Sequence, residues 1–381
     1  MDFMKDIIYL DHAATTRVSD SVLKEMLPYY TKYYGNASGI YSLGVQSKEA
    51  IELSRQRVAK AINARTNEIY FTSGGSESDN LAIKGFARAN KRRGNHIITT
   101  KIEHNAVLNT CKALEKEGFE VTYLDVAQNG IVRVDDLKRA IKRNTILISI
   151  MFANNEIGTI QPIEQIGLLA RRSNIIFHTD AVQGVGNFKI DVQKYNIDML
   201  SLSGHKFYGP KGVGALYVRQ GVQLEKCIDG GTQENNMRAG TENVPGIVGL
   251  GKAIEDSDAI LYDYMNHLMY LRDSFIKGIE TQVPGVIING DRKYRLPGNV
   301  SVSFRNISSK VLIEELSNSG ICVSGGSACS ARNPKPSHVL TAIGLSPNVA
   351  NSTIRLTFGK ENTMEDVIYT INQIKEILEG K

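Results

Sequence analysis

Ser201-Leu202-Ser203-Gly204-His205-Lys206-Phe207-Tyr208-Gly209-Pro210-Lys211-Gly212 is a stretch in which an apolar run ends at a lysine framed by serine, histidine and glycine. An earlier apolar run ends in His178-Thr179-Asp180-Ala181-Val182-Gln183, which places an acid after the run instead of an amine. In open α/β sheets the carboxyl ends of parallel strands meet at one edge, where ligands bind. We therefore expect Lys206 and Asp180 to lie at the same edge of a sheet.

The chain around these two runs repeats an alternation of strand and helix. From residue 65 onward, short β-rich runs alternate with stretches of helical composition such as 78–92 and 163–172. The candidate strands are Ile69–Thr72, Ile97–Thr100, Val121–Leu124, Thr145–Phe152, Ile175–His178, Met199–Leu202 and Gly214–Val218. This alternation predicts an α/β fold whose large domain has a mostly parallel sheet flanked by helices.

In the later part of the chain, the regular alternation of predicted strands and helices ends. Residues 252–282 read as one long amphipathic helix, and a last helix is expected to begin at Thr363 with Asp366 as its capping partner. Between them we expect a helix at 309–319 and strands at 299–304, 321–324 and 353–358. This pattern predicts a smaller α+β domain. We expect residues 15–257 to form the large domain and residues 1–14 and 258–381 to form the small one, with the long helix as the hinge.

Composition narrows the class of protein. The chain has 381 residues, 42% hydrophobic and 22% charged, which is ordinary for a globular enzyme. Its net charge of +5 is spread widely, and the densest basic cluster, Lys91-Arg92-Arg93, is short. We therefore expect no nucleic-acid partner and no membrane association. The four cysteines show no C-x-x-C spacing, and residues 1–10 lack the apolar segment of a signal peptide, so we expect a cytoplasmic protein.

The lysine and the acid together match the needs of one cofactor. An amine such as that of Lys206 can form a Schiff base with the aldehyde of pyridoxal phosphate, while Asp180 keeps the pyridine nitrogen protonated. A glycine turn that opens a helix, Ser73–Asn80, offers backbone N–H groups and hydroxyls suited to a phosphate. Other candidate strands end at Glu103-His104 and at Asn154–Gly158, so several strand ends deliver polar groups to one rim. We expect pyridoxal 5'-phosphate at that rim and no metal ion.

The order of several motifs along the chain resembles that of a known family. The matching segments are Tyr9–Thr16, Ser73–Asn80, Glu103-His104, Asn154–Gly158, His178–Gln183, Ser201–Gly212, Arg238–Asn243, Ser324–Ser330 and Ser352–Arg355. In this order and spacing they resemble the NifS/IscS-type cysteine desulfurases of the class V branch of fold-type I pyridoxal-phosphate enzymes. The resemblance covers nearly the whole chain, and it implies conversion of L-cysteine to L-alanine.

The resemblance also implies a role for each matching residue. Lys206 would bind the cofactor and move the Cα proton, Asp180 would pair with the ring nitrogen, and Gln183 would bond the phenolic oxygen. His104 would stack on the ring and act as a catalytic proton carrier. The expected phosphate ligands are Gly75, Ser76, Ser203, His205 and, from the neighbouring subunit of a homodimer, Thr241. Asn155 would contact cofactor and substrate, and Arg355 would clamp the substrate carboxylate.

Cys329 decides which reaction is implied. It lies in the polar, proline-containing stretch Ser324–His338, which is typical of a functional loop. The resemblance implies that its thiolate attacks the substrate sulfur and becomes a persulfide for delivery to acceptors in iron–sulfur cluster assembly or thiolation. Cys322 alternates with apolar neighbours and reads as a core residue.

Three other interpretations stay open from the sequence. Two are further class V reactions, a selenocysteine lyase and an aminotransferase; the third is a scaffold that keeps the fold without catalysis. A 2-oxo acid product would favour the aminotransferase, and a protein that stays colourless with added pyridoxal phosphate would favour the scaffold. The sulfur-acceptor protein, for example an iron–sulfur scaffold, is not identified by the sequence.

Overall fold

The computed structural model describes residues 7–305, 307–325 and 336–380 of the chain. The strands in this part are β1 (Ile8–Tyr9), β2 (Ile69–Thr72), β3 (His96–Thr100), β4 (Glu120–Leu124), β5 (Thr145–Ser149), β6 (Ile176–Asp180), β7 (Met199–Ser203), β8 (Gly214–Val218), β9 (Ile287–Ile288), β10 (Asn299–Ser303), β11 (Ile321–Cys322), β12 (Ser324–Gly325) and β13 (Thr353–Thr357).

The α-helices in the same part are Asp20–Met26, Pro28–Thr31, Ser42–Ala61, Gly75–Asn80, Phe86–Ala89, Asn105–Lys116, Val134–Ala140, Ile163–Arg172, Gln233–Asn236, Val244–Ala259, Leu261–Gln282, Ser309–Asn318, His338–Ala342, Pro347–Ala350 and Met364–Glu379. A π-helical stretch, Leu81–Gly85, joins two of them. None of the helices in the described ranges is both long and apolar enough to cross a membrane.

Seven strands form the main sheet, in the order β2-β8-β7-β6-β5-β3-β4. β8 runs antiparallel to β2 and β7, and the other neighbouring pairs are parallel. Every residue of β3, β5, β7 and β8 is buried, as expected of strands that are covered by helices on both faces. The predicted α/β fold is thereby confirmed, and β6 and β7 end side by side at Asp180 and Ser203.

A second sheet has the antiparallel order β12-β13-β10-β9, and β1 pairs in parallel with β11. β13 lies inside this sheet, because Arg355 is opposite Ser301 on one side and Ser324 on the other. The N-terminal strand therefore joins elements that follow it by more than 300 residues in the sequence.

The division into two domains stays a proposal, and the hydrophobic cores support its outline. One core combines Leu10 with apolar residues between Leu268 and Ile374, including Phe275 and Phe358. Two others form around the main sheet. The larger of these also takes in Leu296 and residues of 339–350, which come from outside the proposed 15–257 range.

The structure corrects three predicted elements. The single helix expected at 252–282 is two helices, because Ile260 has φ −110 and ψ 9, which interrupts the helical hydrogen bonds. The strand expected at 145–152 ends at Ser149, and the one at 321–324 is divided at Val323. The last helix begins as predicted, with reciprocal bonds between Thr363 and Asp366.

Candidate active site

A cavity of about 320 Å³ opens at the carboxyl ends of β6 and β7. Ten of the residues expected to form a site lie in its wall: Gly75, Ser76, His104, Asn155, Asp180, Gln183, Ser203, His205, Lys206 and Arg355. Thr241 is exposed and does not line this cavity. Cys329 lies outside the described residues. The chain thus brings together ten of the twelve predicted residues, whose individual roles stay predictions.

Lys206 ends a short 3₁₀ turn, Gly204–Lys206, that follows β7 directly. Its Nζ donates hydrogen bonds to the carbonyl oxygens of Ala13 at 2.6 Å and Ala14 at 2.7 Å. The Nε2 of Gln183 donates to the same Ala13 oxygen at 3.0 Å. The segment that carries Ala13 and Ala14 therefore fixes the amine of Lys206 and the amide of Gln183 together.

Asp180 is the last residue of β6 and is only 7% exposed. Its Oδ1 accepts a hydrogen bond from the N–H of Val182 at 3.0 Å. Burial raises the pKa of this carboxyl group, while the nearby charges of His104 and Lys206 act in the opposite direction. A positive charge that entered the cavity beside Asp180 would therefore stabilise its ionised form.

A second buried carboxyl group, Asp79, stands next to Asp180. One oxygen of each and a ring nitrogen of His104 lie within 4.8 Å of one another, so this cluster could hold a cation. Burial, and then the charge of Asp180, raises the pKa of Asp79. The sequence predicted a phosphate-binding turn within Ser73–Asn80. It did not predict a role for Asp79, which lies in the same stretch.

Asp79 leads into a buried polar network beneath the cavity. The Nε2 of His178 lies 3.6 Å from Asp79 Oδ1 and 3.0 Å from Ser201 Oγ, and its Nδ1 lies 2.9 Å from Ser149 Oγ. Burial lowers the pKa of His178 to about 3, so its ring is neutral near neutral pH. His178 therefore brings no positive charge to Asp79, whose Oδ1 has no hydrogen-bond partner among the described residues.

Another part of the cavity wall is suited to an anion. The helix Gly75–Asn80 begins there, and the N–H groups of a first helical turn have no acceptor within the helix. Gly74 has φ +150, a conformation that favours glycine, and a Cβ on Gly75 would lie 2.7 Å from Val182 Cγ2. Only a residue without a side chain fits at Gly75, which leaves the backbone of the turn open to a ligand.

Two side chains from the β7 end border this anion-binding region. Ser203 is 3% exposed, and the Nδ1 of His205 lies 3.1 Å from Thr15 Oγ1. Burial, with the charges of Lys206 and Lys211, lowers the pKa of His205 to about 4. A neutral His205 contributes hydrogen bonding and no charge.

His104 is held in one tautomer by the helix that follows it. It is the N-cap of Asn105–Lys116, and its Nδ1 accepts a hydrogen bond from the N–H of Ala106 at 3.2 Å. Because Nδ1 is the acceptor, the proton of the neutral ring is on Nε2. The His104 ring therefore has a fixed orientation in the cavity wall.

Arg355 extends from β13 to the same cavity and is 1% exposed. Its Nη1 donates to the backbone oxygen of Asn155 at 3.1 Å, and its Nη2 contacts Asp11 Oδ1 at 2.6 Å. Arg355 and Asn155, both predicted to contact the substrate, thus contact each other through a backbone atom of Asn155. The partnership with Asp11 was not predicted.

Three further residues of the wall lie in segments quoted from the sequence but received no predicted role: Glu103, Glu156 and His338. Burial raises the pKa of Glu103 to about 8 and that of Glu156 to about 7. Glu103 accepts hydrogen bonds from Thr100 Oγ1 and the N–H of Met151, and Glu156 accepts one from Ser337 Oγ. Glu103 directly adjoins His104 in the sequence, and Glu156 directly adjoins Asn155, which was the signal for these two residues.

Thr241 lies on a separate, well-anchored segment. Within it, Glu234 forms a two-point ion pair with Arg55, at 2.7 and 2.8 Å, and Arg238 Nε contacts Glu77 Oε1 at 2.9 Å. Glu77 belongs to the helix that begins at Gly75. The segment that presents Thr241 is therefore tied to the helix at the anion-binding end, while Thr241 itself faces solvent.

The cavity combines four chemically different surfaces. It offers N–H and hydroxyl donors for an anion, buried carboxyl groups for a cation, a primary amine, and a buried guanidinium. A ligand that is anionic at one end and carries a basic nitrogen at the other fits the first two. The amine and the guanidinium then remain for a reacting molecule that carries a carboxylate.

The chain is similar to known proteins over nearly its whole length. The profile of the family Aminotransferase class-V matches residues 8–369. The cysteine desulfurase IscS of Clostridium botulinum (strain Hall) is 53% identical over 380 residues, which cover 99% of this chain and 96% of that protein. A solved structure described as a NifS-like protein has a TM-score of 0.93 at 40% identity and covers 98% of this chain and 100% of its own. A structure of SspA in complex with cysteine has a TM-score of 0.80 at 39% identity, covering 93% and 100%.

Proposed function

Because the chain belongs to the class V aminotransferase family, and within it to the cysteine desulfurases, we propose that Lys206 and Cys329 are the two residues that carry its reaction. The enzyme removes the sulfur of L-cysteine and leaves L-alanine. The observation that supports this assignment most strongly is the convergence of Lys206, Asp180 and Arg355 on one cavity. Each offers a group that an amino-acid substrate or its cofactor requires.

The proposed cofactor is pyridoxal 5'-phosphate, and the residues present fit it. The open backbone at Gly75, with Ser76, Ser203 and His205, would hold the phosphate, and Asp180 would pair with the ring nitrogen. A protonated ring nitrogen offsets the cost of burying the Asp180 carboxylate. His104 would stack on the ring, and Gln183 would bond its phenolic oxygen. When bound through Lys206, the cofactor supplies an electron-accepting ring for the amino-acid Cα.

Arg355, Lys206 and His104 would bind the substrate and move its protons. Arg355 would bind the α-carboxylate of cysteine through its planar N–H fork, beside Asn155. The amine of Lys206 would take the Cα proton. The Ala13 and Ala14 carbonyls provide a fixed position for that amine whenever it carries hydrogens to donate. His104 would exchange a proton at Nε2, since its Nδ1 is committed to Ala106.

Sulfur transfer requires the thiolate of Cys329. Its Sγ would form a bond to the substrate sulfur, the Cβ–S bond would break with its electron pair on Cβ, and Cβ would then take up a proton. The products are alanine and a persulfide on Cys329. Two thiols of an added reductant release the outer sulfur as sulfide and become a disulfide.

The flanks of the segment that contains Cys329 support this proposal. Before it, Ser324 Oγ donates to Asp11 Oδ2 at 2.7 Å, and Asp11 contacts Arg355. After it, Ser337 Oγ donates to Glu156, and the Nε2 of His338 lies 2.9 Å from the Glu103 backbone oxygen. Both flanks therefore contact residues of the cavity wall or their direct partners. Cys329 itself lies outside the described residues.

We also propose a homodimer in which Thr241 contacts the phosphate in the neighbouring subunit. The N-terminal segment supports this, because residues 20–53 expose eight large apolar side chains. These are Leu23, Leu27, Tyr30, Tyr34, Ile40, Tyr41, Val45 and Leu53. Large exposed apolar surfaces are typical of protein–protein contacts. A cytoplasmic location and delivery of sulfur to an iron–sulfur scaffold or a thiolation acceptor remain further parts of the proposal.

Replacing Cys329 with serine tests whether this residue accepts the sulfur while other residues bind the cofactor. The Cys329→Ser protein should bind pyridoxal phosphate as the parent does and lose sulfide release from L-cysteine. Cys227→Ser, at an exposed cysteine outside the cavity, is the matched control and should remain active. Undiminished sulfide release by Cys329→Ser would rule out Cys329 as the sulfur acceptor.

A further inference from the structure

The carboxylate of Asp11 bridges Arg355 and the strand that precedes the Cys329 segment. Its Oδ1 lies 2.6 Å from Arg355 Nη2, and its Oδ2 accepts a hydrogen bond from Ser324 Oγ at 2.7 Å. The Arg355 side chain is 1% exposed and that of Asp11 is 17% exposed. In this ion pair the arginine is therefore shielded from water, whereas the aspartate is partly exposed to it.

Arg355 keeps donors for another anion while it holds Asp11. A guanidinium has five N–H donors. Among the described residues its hydrogen bonds go to Asn155 and Asp11, and Nε has no partner. A buried cation without a counter-ion is strongly destabilising, so the free enzyme needs Asp11 to neutralise Arg355. A bound carboxylate would provide a second negative charge at the same guanidinium.

We infer that Asp11 is a resident counter-ion that weakens the hold of Arg355 on amino-acid carboxylates and so favours release of alanine. This inference rests on the proposed function of Arg355 as the carboxylate clamp. Cysteine and alanine present the same α-carboxylate, so an arginine without a competing charge would retain the product as firmly as the substrate. Repulsion between Asp11 and the bound carboxylate lowers the affinity for both.

The position of Asp11 in the chain fits this role. It lies two residues before Ala13, whose carbonyl accepts hydrogen bonds from Lys206 and Gln183. The hydroxyl of Tyr9 bonds the backbone oxygens of Asp11 and Thr15, at 3.1 and 2.9 Å. Because this segment is fixed at several points, the Asp11 carboxylate cannot easily move away when a ligand approaches.

Asp11→Asn in the holoenzyme tests the inference, because it removes the charge and keeps the shape and an acceptor oxygen. The measurements are the KM for L-cysteine and the inhibition constant of alanine against sulfide release. We expect both constants to fall, the alanine constant by about tenfold, since one like-charge repulsion is removed. A purely structural role would not tighten the binding of alanine.

Stability gives a second readout that does not depend on turnover. Without Asp11 the buried Arg355 lacks its counter-ion, so the variant should melt at a lower temperature in buffer free of carboxylates. Added alanine should raise its melting temperature more than that of the parent. Should Asp11→Asn fail to fold, Asp11→Ser serves as a second uncharged variant with the same expected tightening.

Two control variants separate the effect of the Asp11 charge from other effects of substitution. Asp125→Asn removes an exposed aspartate paired with Lys101 and should leave both constants unchanged. Ser324→Ala removes the other contact of Asp11 but keeps both charges, and it should leave the alanine constant within about threefold. An unchanged or raised alanine constant in Asp11→Asn would overturn the inference. A parent enzyme that makes no sulfide from cysteine would instead count against the proposed function.

Discussion

The Nζ of Lys206 lies 2.6 Å from the carbonyl oxygen of Ala13, a residue 193 positions earlier in the chain. This contact joins the N-terminal segment to the end of β7, and the carbonyl of Ala14 repeats it at 2.7 Å. The amine is therefore held at a defined position in the cavity by backbone atoms. A reactive lysine held in this way needs little rearrangement before it can react.

Lys206→Ala should abolish covalent attachment of the cofactor. Borohydride reduction of the parent, followed by mass spectrometry, should show a pyridoxyl-sized mass increase on the peptide that contains Lys206. The alanine variant should show none, because no amine replaces Lys206 at the Ala13 and Ala14 carbonyls. Lys211→Ala, at an exposed lysine five residues later, should retain the label. A label on another lysine of the parent would contradict the assignment.

Glu103→Gln should change how stability depends on pH. Burial raises the pKa of folded Glu103 to about 8 from an ordinary value of 4.5, so the folded protein keeps a proton that the unfolded chain loses. The free energy of unfolding should therefore fall as pH rises from about 4.5 to 8, by at most about 1.4 kcal/mol per pH unit from this group. The glutamine variant, neutral throughout, lacks this contribution.

Urea unfolding of parent and variant at several pH values in that window measures the difference. Relative to the parent, Glu103→Gln should gain stability as the pH is raised. Glu164→Gln, at an exposed position outside the proposed dimer surface, is the control and should follow the parent. A parent–variant difference that stays constant across the window would show that Glu103 is ionised in the folded protein.

Charges placed on the apolar N-terminal surface should disrupt the proposed dimer. Tyr34 and Ile40 are 69% and 98% exposed, and Tyr34→Glu with Ile40→Glu should convert the protein to a monomer with weakened cofactor binding. Tyr262→Glu with Tyr270→Glu is a matched control, since these tyrosines are 71% and 62% exposed on the helix Leu261–Gln282, away from residues 20–53 in the sequence. Light scattering measures the mass. A double variant that stays dimeric would place the interface elsewhere.

Much of this site could be predicted because its residues occupy strand ends. Asp180 and Ser203 end adjacent parallel strands, so their apolar runs in the sequence were sufficient to place them together. No apolar run that ends at the edge of the main sheet predicted the position of Arg355. It lies in a different sheet, and its inclusion depended on the family resemblance.

The missed groups have physical reasons for being missed. The Ala13 and Ala14 carbonyls are backbone atoms, and residue type does not reveal where a carbonyl points. Glu103 stands beside His104 in a segment that the sequence already singled out, but residue type does not reveal that its carboxyl group is buried. Asp11 contacts Arg355 and Ser324, more than 300 residues away, and no local pattern encodes such a contact. The interruption at Ile260 was hidden because apolar spacing continues through it.

The most direct test of the account is to incubate the enzyme with L-cysteine and a thiol reductant and to quantify alanine and sulfide in the same samples. We expect the two products in equal amounts throughout the reaction, because each sulfur that leaves cysteine passes through Cys329 and each carbon skeleton leaves as alanine. Alanine without sulfide, or a 2-oxo acid in place of alanine, would contradict it.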